Sequence, residues 1–245
     1  MFNILNKFFD NPNNINSKFI NLQKSLSVKI LFKIFQDYSI DSEIRYVGGC
    51  VRKILNGEKV DDIDLATNLD PEQIKQALQN KNIKFYETGI DHGTITALIN
   101  NEKYEITSLR SDVVTDGRHA KVQFTKDWRK DAERRDFTIN SIYSDINGNL
   151  FDPFEGKKDL ENGKVIFVGD TENRIREDYL RILRYLRFFS SYSKTEHDVN
   201  TLKSIKKNLN GISKVSTERL LDEFKKIFSS QSLQQLCSNT SSFEL

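Results

Sequence analysis

Two aspartates two residues apart, Asp62 and Asp64, begin ten residues after the arginine of the sequence Gly48-Gly49-Cys50-Val51-Arg52. On a strand, Asp-x-Asp puts both carboxylates on one face, because side chains alternate with a period of two. Two hard oxygen ligands close together suit one or two Mg²⁺ ions, which phosphoryl and nucleotidyl transfer require. The double glycine permits a tight turn whose backbone N–H groups can approach a polyphosphate. Arg52 adds a guanidinium fork for phosphate oxygens. These residue types point to a nucleoside triphosphate. Taken alone, the same spacing also fits a structural glycine turn, a surface arginine at a helix start and a capped turn at Asp61-Asp62.

Three further groups could complete such a site. Glu105 lies in Tyr104-Glu105-Ile106-Thr107, whose apolar and aromatic neighbours should face the opposite side. It reads as a third carboxylate or as a solvent-facing glutamate. Arg134-Arg135-Asp136 could grip phosphate and a sugar hydroxyl, with Asn140 one helical turn further on, or could simply end a charged loop. The segment from Glu177 to Arg187 carries Arg181, Arg184 and Arg187 at three-residue intervals, headed by Asp178. On a helix these form one slowly turning row beside Leu180, Leu183 and Leu186. Asp178 and Arg181, one turn apart, present an acceptor and a donor that could meet the edge of a base. The plain alternative is an i,i+3 salt bridge on an exposed helix.

The elements that position these residues follow from local patterns. Residues 21–38 show apolar spacing of a helix, and Ile44–Val47 reads as a strand entering the double glycine. A helix is predicted over 52–56, ended by Gly57, and a strand over 63–66. Asp70-Pro71 starts a helix running to about Asn80. Strands are predicted near 94–99 and 103–109 across the turn Asn100-Asn101, followed by a long polar loop over 111–131. Residues 136–146 read as helix or strand. Beyond Pro153 the pattern becomes helical over 171–191, 198–209 and 216–228.

Composition narrows the class. With 29% charged and 37% hydrophobic residues, the chain suits a water-exposed globular fold. No apolar run reaches membrane-spanning length, and no targeting segment is evident in the first twenty residues. Two cysteines without ligand spacing point to a reducing cytoplasm, and three scattered histidines form no zinc site. The net charge of +2 says little, but segment 118–135 holds seven Lys/Arg against three acids, and 174–187 holds five arginines. Such stripes fit a triphosphate or a nucleic-acid backbone, or else solvated helix faces.

Eight segments now stand in order: GGCVRK, DDIDLAT, GIDHGT, YEITSLR, DGRHA, RRDFTINS, EDYLRILR and STERLLDEF. Together they closely resemble the bacterial-type (class II) tRNA nucleotidyltransferase and poly(A) polymerase family of the polymerase β superfamily, over residues 44–228. The resemblance implies an α+β fold, a polymerase β-like head on a small mixed sheet followed by an all-helical neck. The corresponding domains are an N-terminal extension (1–20), a catalytic head (21–160), a base-recognising neck (161–228) and a polar tail (229–245), disordered or left by truncation. It implies CTP- and ATP-dependent addition of CCA to a tRNA 3′ end, with Mg²⁺ as cofactor. Asp62 and Asp64 would bind the metal and Glu105 would be the third carboxylate. Gly48, Gly49, Arg52 and Arg135 would hold the triphosphate, while Asp136 and Asn140 match positions that read the ribose 2′-hydroxyl. Asp178 and Arg181 match the amino-acid template that reads C or A, oriented by Glu177, with Arg184 and Arg187 continuing the row. The 111–131 loop resembles the family's flexible loop, associated with switching from CTP to ATP.

Two departures stand out. Lys53 occupies a position where the family usually has aspartate. Family members also continue past the neck into further helical domains that grip tRNA, whereas this sequence stops soon after STERLLDEF. A poly(A) polymerase or A-adding enzyme shares every motif, and a non-catalytic nucleotide- or RNA-binding remnant is the alternative from another class.

Overall fold

The computed structural model describes residues 18–228 except 20, 21, 23 and 116–119, with only the backbone described over 112–121. The N-terminal extension through residue 17, the tail 229–245 and most of the DGRHA motif, His119 included, lie outside these residues. The described residues fall into two compact units. Of the described residues, the first holds those up to Ser111 with Phe124–Ala132 and Asn140–Pro153, and the second holds those within 112–123, Glu133–Ile139 and those from Phe154 on.

The first unit is built on a seven-stranded mixed sheet. Its strands are β1 (Ile44–Val47), β2 (Asp64–Thr67), β3 (Lys84–Gly89), β4 (Thr94–Ile99), β5 (Glu102–Ser108), β8 (Tyr143–Ser144) and β9 (Leu150–Phe151). Their order is β3-β4-β5-β2-β1-β8-β9. Pairing is antiparallel except between β2 and β5, where Asp64 lies opposite Glu105. The β4–β5 hairpin closes on Asn100 and Asn101, at φ 50° and 64°. Two successive left-handed residues match the right-handed twist of the strands, and asparagine tolerates that conformation.

Three helices surround this sheet. Helix α1 (Leu26–Tyr38) buries Val28, Leu31, Phe32 and Phe35, with the Phe32 ring 4.9 Å from that of Tyr46. It starts at the Ser25 cap, which accepts from the Val28 N–H at 3.4 Å, and residues 21 and 23 of the span suggested by periodicity lie outside the described residues. Helix α2 (Gly49–Leu55) begins at the double glycine, three residues before the predicted start. Helix α3 (Pro71–Gln79) begins as expected, with a reciprocal Asp70–Gln73 capping box and Pro71 in the first turn.

Two stretches differ from the sequence reading. Strand β3 was not anticipated, because an edge strand with mostly exposed residues lacks a clear apolar alternation. The 111–131 loop instead contains β6 (Arg110–Thr115) and β7 (Ala120–Phe124), which form a two-stranded sheet, and helix α4 (Trp128–Glu133). Its polarity concealed the strands, since a hairpin with few apolar residues reads as loop. Trp128 is buried against Tyr143, with ring centroids 5.3 Å apart.

The second unit contains α5 (Gly156–Glu161), α6 (Thr171–Glu177), α7 (Leu180–Tyr192), α8 (Val199–Asn208) and α9 (Thr217–Phe228). Its core is aromatic: the Phe137 ring lies 4.7 Å from Phe167 and 5.5 Å from Phe188, and Phe167 stacks on Tyr185. His197 stacks on Phe189 at 3.6 Å and lies 3.0 Å from the Tyr185 hydroxyl. The helix expected over 171–191 is broken at Asp178 and Tyr179. Asp178 is extended (φ −155°, ψ 104°), and its carboxylate accepts from the Leu180 N–H at 3.2 Å, restarting the helix. Among the described residues no helix is long and apolar enough to cross a membrane.

Candidate functional site

In the first unit, the turn between β1 and α2 is held by Gly48, at φ 65° and ψ −119°. Glycine alone adopts this conformation without strain. Gly48 donates its N–H to the Ile142 carbonyl at 3.2 Å, which leaves the turn anchored to the sheet. A Cβ placed on Gly49 would lie 3.9 Å from Asp64 Oδ2 and 4.0 Å from an Arg52 guanidinium nitrogen. The glycine, the arginine and the aspartate therefore converge.

Arg52 is not the exposed helix-start arginine of the sequence reading. It sits in the second turn of α2, is buried, and donates to Asn140 Oδ1. The structure thus joins Arg52 to Asn140, 88 residues away. It also corrects the expectation that Asn140 follows Asp136 by one turn of a shared helix. Asn140 ends a short 3₁₀ turn that does not include Asp136, and the two residues belong to different units.

Asp64 opens β2, but Asp62 precedes the strand, so strand alternation does not set its direction. Asp62, Asp64 and Glu105 nevertheless line one cleft of about 770 Å³, between residues 61–64 and 101–105. Asp62 and Glu105 are exposed, while Asp64 is half-buried. Three carboxylates form a hard-oxygen set suited to a divalent cation. Among the described residues, no three Asp, Glu, His or Cys side chains are close enough together to enclose a metal ion. Mg²⁺ does not require such a cage, because it is commonly held by one or two carboxylates together with substrate phosphates.

Two neighbours of this cleft were not assigned roles from sequence. Cys50 donates its thiol to the Val47 carbonyl at 3.3 Å and the Asp64 carbonyl at 3.5 Å, and burial pushes its pKa up to about 12. It is an inert thiol tying α2 to the start of β2. Lys53 reaches Asp61, beside Asp62, at 3.4 Å, and this contact holds the Asp61 carboxyl below the usual range.

In the second unit, charges expected to act separately are interlocked. The Arg134 and Arg135 carbonyls accept from the buried Arg174 at 2.5 and 2.6 Å, and Arg174 also pairs with Glu177. Asp136 is buried and accepts from Arg184 Nε at 2.8 Å and from its terminal nitrogen at 2.5 Å. Arg181 donates to Glu177 at 2.7 Å and to the Arg174 carbonyl at 2.7 Å. Arg187 donates to Glu223 at 2.5 Å and lies 4.1 Å from the Phe188 ring. Asp178 accepts from Arg219 at 2.7 Å.

The predicted Asp178–Arg181 pair is therefore held by other partners, Arg219 on one side and Glu177 on the other. Arg184 and Arg187, expected to continue a phosphate-side row, are engaged by Asp136 and Glu223. Arg174, Arg219 and Glu223 were missed as single residues. The local signal was nonetheless present, since Arg219 and Glu223 both lie in STERLLDEF, one helical turn apart.

Residues 44–166 match the family described as the poly(A) polymerase head domain. The chain belongs to the tRNA nucleotidyltransferase and poly(A) polymerase family. Residues 198–237 of this member match a second family, described as a probable RNA- and SrmB-binding site of polymerase A. Human mitochondrial CCA tRNA nucleotidyltransferase 1 is 52% identical over 188 residues, covering 76% of this chain and 43% of that protein. The CCA-adding enzyme of Lactobacillus johnsonii is 41% identical over 187 residues, covering 76% of this chain and 46% of the enzyme. The chain thus spans less than half the length of these two relatives. Among solved structures, the Bacillus stearothermophilus CCA-adding enzyme in complex with CTP superposes with a TM-score of 0.73 at 29% identity. That match covers 88% of this chain and 53% of the other. A tRNA nucleotidyltransferase complexed with a primer tRNA and an ATP analogue gives a TM-score of 0.68 at 25% identity, covering 85% and 58%.

Proposed function

We propose that this chain is a template-independent RNA nucleotidyltransferase that adds C and A to tRNA 3′ ends from CTP and ATP. The observation that carries this reading is the convergence of Gly49, Arg52 and Asp64 beside the cleft shared with Asp62 and Glu105. Homology to enzymes named for CCA addition supports it, at 52% and 41% identity.

On this reading residues 21–160 form the catalytic head and 161–228 the base-reading neck. The Gly48-Gly49 turn leaves room for phosphate oxygens, and Arg52 stays oriented by Asn140. Asp62 and Asp64 would hold Mg²⁺, with Glu105 as the third carboxylate of the cleft. Bound Mg²⁺ would supply charge stabilisation at the α-phosphate and the departing pyrophosphate. The remaining contribution of the chain is positioning and fixed electrostatics. Arg135 would assist at the triphosphate, and Asp136 would face the ribose 2′-hydroxyl. Asp178 and Arg181 would read the base edge, because cytosine and adenine share an exocyclic amino donor that uracil and guanine lack at that position. Arg184 and Arg187 would support this row through their carboxylate partners.

The deciding experiment supplies tRNA ending before CCA with CTP alone, ATP alone, and both together. Incorporation of CMP followed by AMP supports the reading. AMP addition without any CMP incorporation assigns an A-adding or poly(A) activity instead, and binding without transfer assigns a remnant.

The same reading places the chain in the cytoplasm, supported by Cys50 as a buried free thiol. The human relative is named as mitochondrial. Fractionation of cells expressing the tagged protein distinguishes these compartments.

A further inference from the structure

Helix α9 presents two charged residues one turn apart to the charged row around α7. Arg219 reaches Asp178 at 2.7 Å, and the buried Glu223 reaches Arg187 at 2.5 Å. The first contact has a geometry that the second lacks. Asp178 lies in the extended break between α6 and α7, outside either helix. Its two oxygens are held from different places. Oδ1 accepts from the nearby Leu180 N–H at 3.2 Å, whereas Oδ2 accepts from Arg219, 41 residues further along the chain. Both side chains stay accessible, at 26% exposure for Asp178 and 43% for Arg219.

We propose that Arg219 is a positioning residue for base selection, fixing the Asp178 carboxylate in the orientation that accepts an exocyclic amino group. The inference rests on the assignment of Asp178 as a base-reading residue. A carboxylate oxygen bonded to one donor retains a lone pair, so the Arg219 contact leaves Asp178 able to accept from cytosine N4 or adenine N6. A fixed acceptor also repels the carbonyl that uracil or guanine presents at that place. Released from Arg219, Asp178 can rotate away from that carbonyl, and the penalty against the wrong base falls. Arg181 cannot substitute for this restraint, because its guanidinium is engaged by Glu177 and the Arg174 carbonyl.

Equilibrium titration of the full chain with CTP, ATP, UTP, GTP and pyrophosphate, each with Mg²⁺, tests the proposal. The variants are Arg219→Ala, Arg219→Lys and Asp178→Ala, each checked by thermal melting. In Arg219→Ala the preference for CTP over UTP should fall about tenfold, the order expected for one well-placed base contact. Pyrophosphate affinity should change less than about twofold, because the contact acts on the base and leaves phosphate pairing alone. Arg219→Lys should restore part of the preference, since it keeps the charge but not the planar fork. A purely structural role would instead weaken all five ligands together and overturn the proposal. Tighter CTP binding with intact preference would also overturn it, marking Arg219 as a competitor for Asp178. Should Asp178→Ala lose the preference while Arg219→Ala keeps it, only the Arg219 assignment fails. Retention of the preference in Asp178→Ala, which has no side-chain acceptor, removes the base-reading assignment itself, and the Arg219 role with it.

Discussion

In the first unit, Asp62 and Glu105 stand exposed along a cleft that also holds Asp64, whereas in the second unit Asp136, Glu177, Asp178 and Glu223 each accept from an arginine. Both arrangements place several like charges close together, and both need counter-charge. The first keeps Asp62 and Glu105 accessible, where a cation and a polyphosphate could reach them. The second meets it internally, using Arg184 and Arg187, which the sequence alone suggested for phosphate, together with Arg181 and Arg219. The difference separates two kinds of work. On the function proposed above, the groups that would bind a metal with its substrate are left accessible, while those that would present a fixed donor or acceptor are braced beforehand.

The contrast is broken most directly at Asp62. Asp62→Ala should lower nucleotide transfer roughly a thousandfold or more, because metal-borne charge stabilisation accounts for several kcal/mol. Since Asp62 is exposed and precedes β2, its thermal midpoint should stay within about 2 °C of the parent. Transfer assays and melting curves on the same preparation check both halves. A large loss of stability without loss of rate would make Asp62 a structural cap.

Glu223 should behave the opposite way. Its carboxylate is 2% exposed and lies 2.5 Å from Arg187 and 4.0 Å from Arg184. Glu223→Ala removes a buried carboxylate that accepts a charge-assisted hydrogen bond from the half-buried Arg187, which costs about 1.5–3 kcal/mol. Urea unfolding followed at a probe in the second unit should show this loss, with Glu223→Gln less affected. A change below 1 kcal/mol would mean that water already screens these arginines.

What was legible in the sequence follows the same division. Gly48-Gly49 is a local spacing that turn geometry is sufficient to read, whereas strand alternation did not set the direction of Asp62 and a continuous helix did not hold Asp178. Strand β5 put Glu105 opposite Asp64 only through a parallel pairing that no local pattern announces. Contacts such as Arg184–Asp136, Arg187–Glu223 and Arg219–Asp178 join residues 48, 36 and 41 apart. An arginine's partner at such a distance is chosen by helix packing, so the sequence showed the charges but not how they pair. Asp136 and Asn140 show the converse, since four residues of separation suggested one surface and the fold assigned them to different units.

A smaller effect is expected from the packing behind Asp178. A Cβ on Gly211 would overlap the Tyr179 ring. Gly211→Ala should therefore cost about 1–3 kcal/mol through overpacking. If Tyr179 yields by shifting, base preference should also weaken, because Asp178 is its chain neighbour. Melting and nucleotide titration together distinguish strain alone from strain transmitted to the site.

The weakest expected effect concerns protons instead of volume. His197 is buried, stacked on Phe189 and beside the Tyr185 hydroxyl, and burial holds its pKa below the usual histidine range, partly opposed by Glu196. Above about pH 6.5 the imidazole is neutral in both folded and unfolded chains and adds no pH dependence. Below that pH the unfolded chain takes up the proton first, so stability falls until the folded pKa is passed. His197→Gln should flatten this fall by up to about 1 kcal/mol per pH unit between pH 6.5 and 5, read as the difference between the two urea midpoints. An unchanged slope would show that His197 accepts its proton without disturbing the aromatic stack. Charge in the second unit would then be tolerated outside the arginine lattice as well as within it.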